Sequence, residues 1–168
     1  SVVSTATAAI ANVNDAPTGA VSISGTASQN QILTASNTLA DVDGLGVISY
    51  QWQSSSDGTT WNAISGATAS SVTLNETQVG QQLRVAASYT DGHGSAESVV
   101  SAATAAIANV NDMPTGAVTL AGTATQNQTL TAANTLADID GLGAIAYQWQ
   151  STIDGTTWNS IAGATAST

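Results

Sequence analysis

Residues 98–168 repeat residues 1–71 at an offset of 97: the two stretches differ at 16 positions and are identical at the other 55. A chain of this kind must close its fold within one repeat length, because each unit has to bury its own apolar face or that of an identical neighbour. The 168 residues hold one complete copy and about three-quarters of a second, out of phase with the unit. Residues 72–97 have no second counterpart. The octet "NVNDAPTG" at 12–19 recurs as "NVNDMPTG" at 109–116 and marks the joint between copies, so the chain reads as a slice of a longer array.

Within one copy, two-residue alternation is clean and helical periodicity scarce. In "VISYQWQ" (47–53), Ile48, Tyr50 and Trp52 share one face; in "QLRVAASYT" (82–90), Leu83, Val85, Ala87 and Tyr89 do the same. Such patterns read as half-buried antiparallel strands with one wet face. Shorter runs complete the set: "AVSIS" (20–24), "QILTAS" (31–36), "WNAIS" (61–65), "SVTLN" (71–75) and a stretch from Ser98 to Ile107. Turn chemistry separates them in "DVDGLG", "SSDGTT", "SGATAS", "NETQVGQ" and "TDGHG".

Seven short strands per repeat with a Trp in the third predict an all-β fold of tandem seven-stranded immunoglobulin-like, cadherin-like β-sandwich modules with a repeat period of 97 residues. The expected division is 1–11, last strand of an upstream module; 12–17, linker; 18–108, complete module; 109–114, linker; and 115–168, the incomplete N-terminal part of a second module. Trp52, repeated as Trp149, is expected at the core with Tyr50, Leu83 and Val85. No cysteine is present to bridge the sheets, so packing alone must hold them.

Charge narrows the partners. Against 11 Asp and Glu the chain has a single Lys or Arg, Arg84, and one His, for a net charge of −10. Phosphate backbones and anionic lipid surfaces need basic patches, and none can be assembled here. No run approaches the ~18 apolar residues of a membrane-spanning helix, so no membrane insertion is expected of this segment. The expected partners are neighbouring repeats of the same chain, and also other copies if the chain forms a filament. A surface of Ser, Thr, Asn, Gln and Ala suits an extracellular protein. His93 in "DGHG" has no second basic group to work with, and the Asp residues sit in turns among small neighbours, so no enzyme is expected.

The acids suit a different chemistry. Calcium takes 6–8 oxygen ligands from carboxylates, Asn side chains and carbonyls. In an immunoglobulin-like module the chain leading into the first strand lies at the same pole as the loops between strands two and three and between six and seven. That predicts a set of Asn12, Asn14, Asp15, Asp41, Asp43 and Asp91, and at the next joint Asn109, Asn111, Asp112, Asp138 and Asp140. Like charges so gathered repel unless a cation is bound. The same residues also suit ordinary solvated turns, since Asp-Gly is a turn signal and Asn-Asp before Pro is common linker chemistry. "SSDGTT" reads as a plain hairpin turn.

The segments "YQWQ", "SYTDG", "ESV" and "NVNDxP" resemble the tandem immunoglobulin-like or cadherin-like repeats of giant bacterial surface adhesins, the RTX-type proteins exported by type I secretion. The resemblance covers the whole chain. It implies an extender role at the bacterial cell surface, holding an adhesive tip away from the cell. It also implies calcium at Asn14, Asp15, Asp41, Asp43, Asn111, Asp112, Asp138 and Asp140, although "NVNDAP" is poorer in acids than cadherin-type linkers. Two other functions use the same modules. One is a filament or surface-layer subunit in which residues 1–11 complete a neighbour by strand addition. The other is a carbohydrate-binding module that presents Trp61 or Trp158 on a flat exposed face.

Overall fold

The computed structural model describes all residues, 1–168, and is all-β apart from one short 3₁₀ turn. The chain divides into two compact units, Ser1–Val110 and Asn111–Thr168, with the division inside the stretch 109–114.

In the first unit, residues 1–17 form no strand, and all but Pro17 are exposed. Seven strands follow: β1 (Val21–Ser24), β2 (Ile32–Asn37), β3 (Ser49–Ser55), β4 (Asn62–Ala63), β5 (Ser71–Thr73), β6 (Gln82–Thr90) and β7 (Ala96–Val100). They make two antiparallel sheets, ordered β1-β2-β5 and β4-β3-β6-β7. The longest ladder joins β3 to β6, with Trp52 opposite Val85 and Tyr50 opposite Ala87.

One core draws on both sheets. Val21, Leu33 and Ala35 come from β1 and β2; Trp52, Leu83, Val85, Ala87 and Tyr89 come from β3 and β6; Leu74 and Ile107 close it. Every second residue of β6 from Leu83 to Tyr89 is buried, as the period of two requires. Trp52 is fully buried, and its Nε1–H donates to the Ala69 carbonyl at 3.0 Å, which satisfies the indole's only donor. Tyr50, expected at the centre, stands at the rim instead. Its hydroxyl accepts from Asn37 Nδ2 at 2.6 Å, a bond that keeps the phenol end near water.

The last strand also departs from expectation. The reading from Ser98 to Ile107 begins too late and runs too far, since β7 spans Ala96–Val100. Beyond it the chain still follows β6, through Ser101 N–H to Val85 O, Thr104 N–H to Leu83 O and Ile107 N–H to Gln81 O. The return bonds come from side chains: Val85 N–H donates to Ser101 Oγ and Leu83 N–H to Thr104 Oγ1, both at 3.0 Å. Hydroxyls replace the ladder carbonyls, so pairing continues without regular strand geometry.

Turns are fixed by short polar side chains. In "SSDGTT", Asp57 Oδ1 accepts from Thr59 N–H at 2.8 Å and Thr60 N–H at 2.7 Å, and Ser55 donates to it at 2.9 Å. Those amides, Thr60 first, hold the Asp57 carboxyl far below the usual carboxylate range. Asn75 caps the 3₁₀ turn Glu76–Gln78, accepting from Thr77 N–H while Gln78 reaches back to Asn75 N–H. Gly19 has φ +90°, and a Cβ there would lie 2.2 Å from the Thr38 carbonyl oxygen, so only glycine fits.

The second unit contains the hairpin β8 (Val118–Gly122) and β9 (Leu130–Asn134), and the two-residue pairs β10 (Gln150–Ser151) and β11 (Asn159–Ser160). Local bonds match those at the corresponding residues of the first unit: Asn134 donates to Tyr147, and Trp149 Nε1 to Ala166 O. Ala132 is its only buried apolar residue. Around Trp149 the regular strand is β10 alone, Gln150–Ser151, where the first unit has β3 over Ser49–Ser55.

Candidate functional site

At one pole of the first unit the octet meets two loops. Asp15 N–H donates to Asp43 Oδ2 at 2.7 Å, and Asp43 N–H donates to Asp41 Oδ1 at 2.9 Å. The β6–β7 loop joins through its backbone, Gly92 N–H donating to Asp43 O at 3.1 Å. Asp91 Oδ1 accepts from His93 N–H at 2.9 Å and Ser95 N–H at 2.7 Å. Asp15, Asp43 and Asp41 are therefore linked by hydrogen bonds, and the loop of Asp91, 76 residues beyond Asp15, meets them through the Gly92 amide while Asp91 itself bonds within its own loop.

Two residues that the sequence did not suggest complete the cluster. Tyr89, five per cent exposed, donates its hydroxyl to Asp41 Oδ2. Burial, and then the Asp41 carboxylate, push the Tyr89 phenol far above its ordinary range. Glu97 on β7 accepts from Asn14 Nδ2 at 2.8 Å. Tyr89 was legible as a core residue of β6 but not as a partner of Asp41, 48 positions away. Glu97, within the "ESV" segment, offered no signal at all.

The electrostatics are not those of bare repelling acids. Asp43 Oδ2 and Asp41 Oδ1 accept from main-chain amides, which supply partial positive charge where no Lys or Arg is present. Burial opposes ionisation of Asp91, but the Ser95 and His93 amides outweigh it and hold the carboxyl below its usual range. One atom is left over. Asp91 is seven per cent exposed, and its Oδ2 is buried with no hydrogen-bond partner. A buried carboxylate oxygen without a partner is the kind of atom a hard cation such as calcium takes as a ligand.

Asn12 is exposed and lies outside this cluster's hydrogen bonds. Asn109 is likewise exposed. In the second unit Asp112 N–H donates to Asp140 Oδ2 at 2.6 Å and Asp140 N–H to Asp138 Oδ1 at 3.0 Å, while Asn111 Nδ2 turns to the Asp112 carbonyl. His93 is exposed in its loop. The Trp61 ring is covered by Arg84, whose guanidinium carbon lies 4.4 Å from the ring centroid, so that face is not open to a sugar. Trp158 is 58% exposed, but in a cleft and not on a flat face.

No helix is long and apolar enough to cross a membrane. No curated protein matches the chain. A family described as a domain of unknown function (DUF8696) matches residues 23–110, which takes in β1 to β7 almost whole and more than half of the sequence. The chain belongs to the DUF8696 family.

Proposed function

We propose that the chain is a structural extender: a stretch of tandem immunoglobulin-like modules, period 97 residues, that spaces a binding region away from a bacterial cell surface in an RTX-type adhesin. The seven strands in two sheets, with the fourth strand beside the third, support the immunoglobulin-like reading. The observation that carries the role is recurrence of one joint. The clasp from Asp15 to Asp43 and on to Asp41 is rebuilt, bond for bond, from Asp112 to Asp140 and on to Asp138. A stalk needs copies of one rod element, whereas recognition sites diverge from copy to copy. The chain then acts extracellularly and without catalysis, its partners being neighbouring repeats.

Calcium at the Asp15, Asp41, Asp43 and Asp91 pole stiffens the joint in this reading, with Asp91 Oδ2 as the anchoring ligand. Pulling single molecules of the full chain tests the extender role. Residues 18–108 should yield in one cooperative event that releases about 300 Å of contour length, at ~3.3–3.6 Å per residue. A gradual extension with no resolved event would contradict a load-bearing module.

A further inference from the structure

The chain leaves the first unit past a buried polar side chain. Gln29, in the turn between β1 and β2, is four per cent exposed, and its Oε1 accepts from Val110 N–H at 2.9 Å. Its own N–H donates to Ala108 O at 2.9 Å, and Ala108 N–H donates to Ala27 O at the same distance. The turn therefore grips the exit segment through the backbone at Ala108 and through a carboxamide at Val110. Across the segment, Ile107 N–H donates to Gln81 O at 2.8 Å and Gly80 N–H to Ile107 O at 2.9 Å, while the Ile107 side chain is two per cent exposed in the core.

The grip depends on the length of one side chain. The turn itself asks only for short polar residues such as Ser28 and Asn30. Glutamine is longer than that, and its length is what reaches Val110. A carboxamide taken out of water costs free energy unless it is hydrogen-bonded, so burial ties Gln29 to its partners. Val110 is the second residue of the octet at 109–116, which places this bond on the linker and not on a strand. The repeat changes the flanking Ser28 and Ile32 to Thr125 and Thr129 but keeps glutamine at 126.

Direction matters as well. Ala108 pairs with Ser28 in parallel, and bonds between parallel strands run across the strand direction. A pull on the linker slides the exit segment along the turn and loads these bonds together in shear. Without the hold at Val110, the same pull lifts the segment end first and breaks its bonds one at a time.

We infer that Gln29 is a mechanical latch. It fastens the first residues of the linker to the β1–β2 turn, so that tension enters the first unit as shear across residues 107–110. Its purpose rests on the extender reading, but the latch is a local property of the first unit and needs no cation.

The test compares the full chain with Gln29→Ala and with Val110→Pro, which deletes the amide donor at an exposed position and leaves the buried glutamine in place. Hydrogen exchange in chelator reads the bond itself: the Val110 amide should be protected in the parent and exchange about fivefold faster in Gln29→Ala, the scale of one hydrogen bond. Under a constant pulling force, both variants should shorten the lifetime of the first unit by about the same factor, while Val110→Pro keeps the parent's β6 protection. An unprotected Val110 amide in the parent overturns the latch. Equal lifetimes in parent and both variants overturn it too and leave the extender reading standing. A lifetime lost only in Gln29→Ala, together with β6 protection, makes Gln29 a packing residue and likewise overturns it. A parent that extends with no resolved event overturns both readings.

Discussion

Replacing Trp52 by Ala should cripple the first unit, while replacing Trp149, the same residue one repeat on, should do little. Trp52 is fully buried between the sheets and donates from Nε1 to the Ala69 carbonyl. Truncating a buried Trp to Ala costs about 3–5 kcal/mol, and stranding the Ala69 carbonyl adds about 1 kcal/mol. Set against the 5–15 kcal/mol of an ordinary domain, that loss brings the unit near its unfolding threshold. Trp149 makes the matching bond to Ala166 O but lines an open cleft, so its truncation removes area that water already reaches. Its cost should stay below about 1.5 kcal/mol. Trp52→Phe, which keeps a ring and loses the hydrogen bond, should fall between them. Urea unfolding followed by far-UV circular dichroism, with hydrogen exchange of β6 amides as the local probe, distinguishes the three variants. Equal losses for Trp52→Ala and Trp149→Ala would refute the reasoning, because they would mean that the bare face of the second unit is as well packed as the core of the first.

Three further changes probe the turns and the pole. Gly19→Ala places a Cβ against the Thr38 carbonyl at positive φ and should cost about 1–3 kcal/mol, read as a lower urea midpoint; an unchanged midpoint would argue against the tight approach at the octet. Asp57, Asp91 and Asp154 have folded values below their unfolded ones, so the stability they contribute is fully present at neutral pH and is lost as pH falls below about 5. The urea midpoint should decline from pH 5 to pH 2, and less so in Asp57→Asn. Tyr89 has its value raised, so its contribution holds below the unfolded phenol value and fades as pH rises past about 10. Tyr89→Phe should flatten that alkaline decline.

What could be seen in the sequence was whatever depends on a period of two. Leu83, Val85, Ala87 and Tyr89 announce their buried face because alternation and burial are the same fact along a strand. The octet drew notice because it recurs, at 12–19 and 109–116. The end of the last strand was hidden, since its ladder passes through Ser101 and Thr104 hydroxyls, which look like ordinary polar residues in sequence. Tyr50 was misplaced because its ring alternates correctly while its hydroxyl answers to Asn37, thirteen residues away. At the pole, the acids were legible as a group, but not the amides that hold them. The Asp15 to Asp43 bond and the Glu97 to Asn14 bond are decided by how loops 28 and 83 residues apart meet. The orphaned Asp91 oxygen has no sequence signature, because its burial is a property of the assembled pole.

Whether that pole holds a cation is tested most directly by a thermal melt of the full chain in chelator and in 10 mM calcium. For an extracellular-type site with a dissociation constant of about 10⁻⁴–10⁻³ M, calcium at that concentration contributes about 1.4–2.7 kcal/mol. The melting temperature of the first unit should rise by roughly 6–20 °C. Asp91→Asn keeps a weaker acceptor for the His93 and Ser95 amides and removes the anionic oxygen, so it should melt below the parent in chelator and gain nothing from calcium. Identical melts of the parent in chelator and in calcium would contradict the cation reading, and would leave the joint held by hydrogen bonds alone.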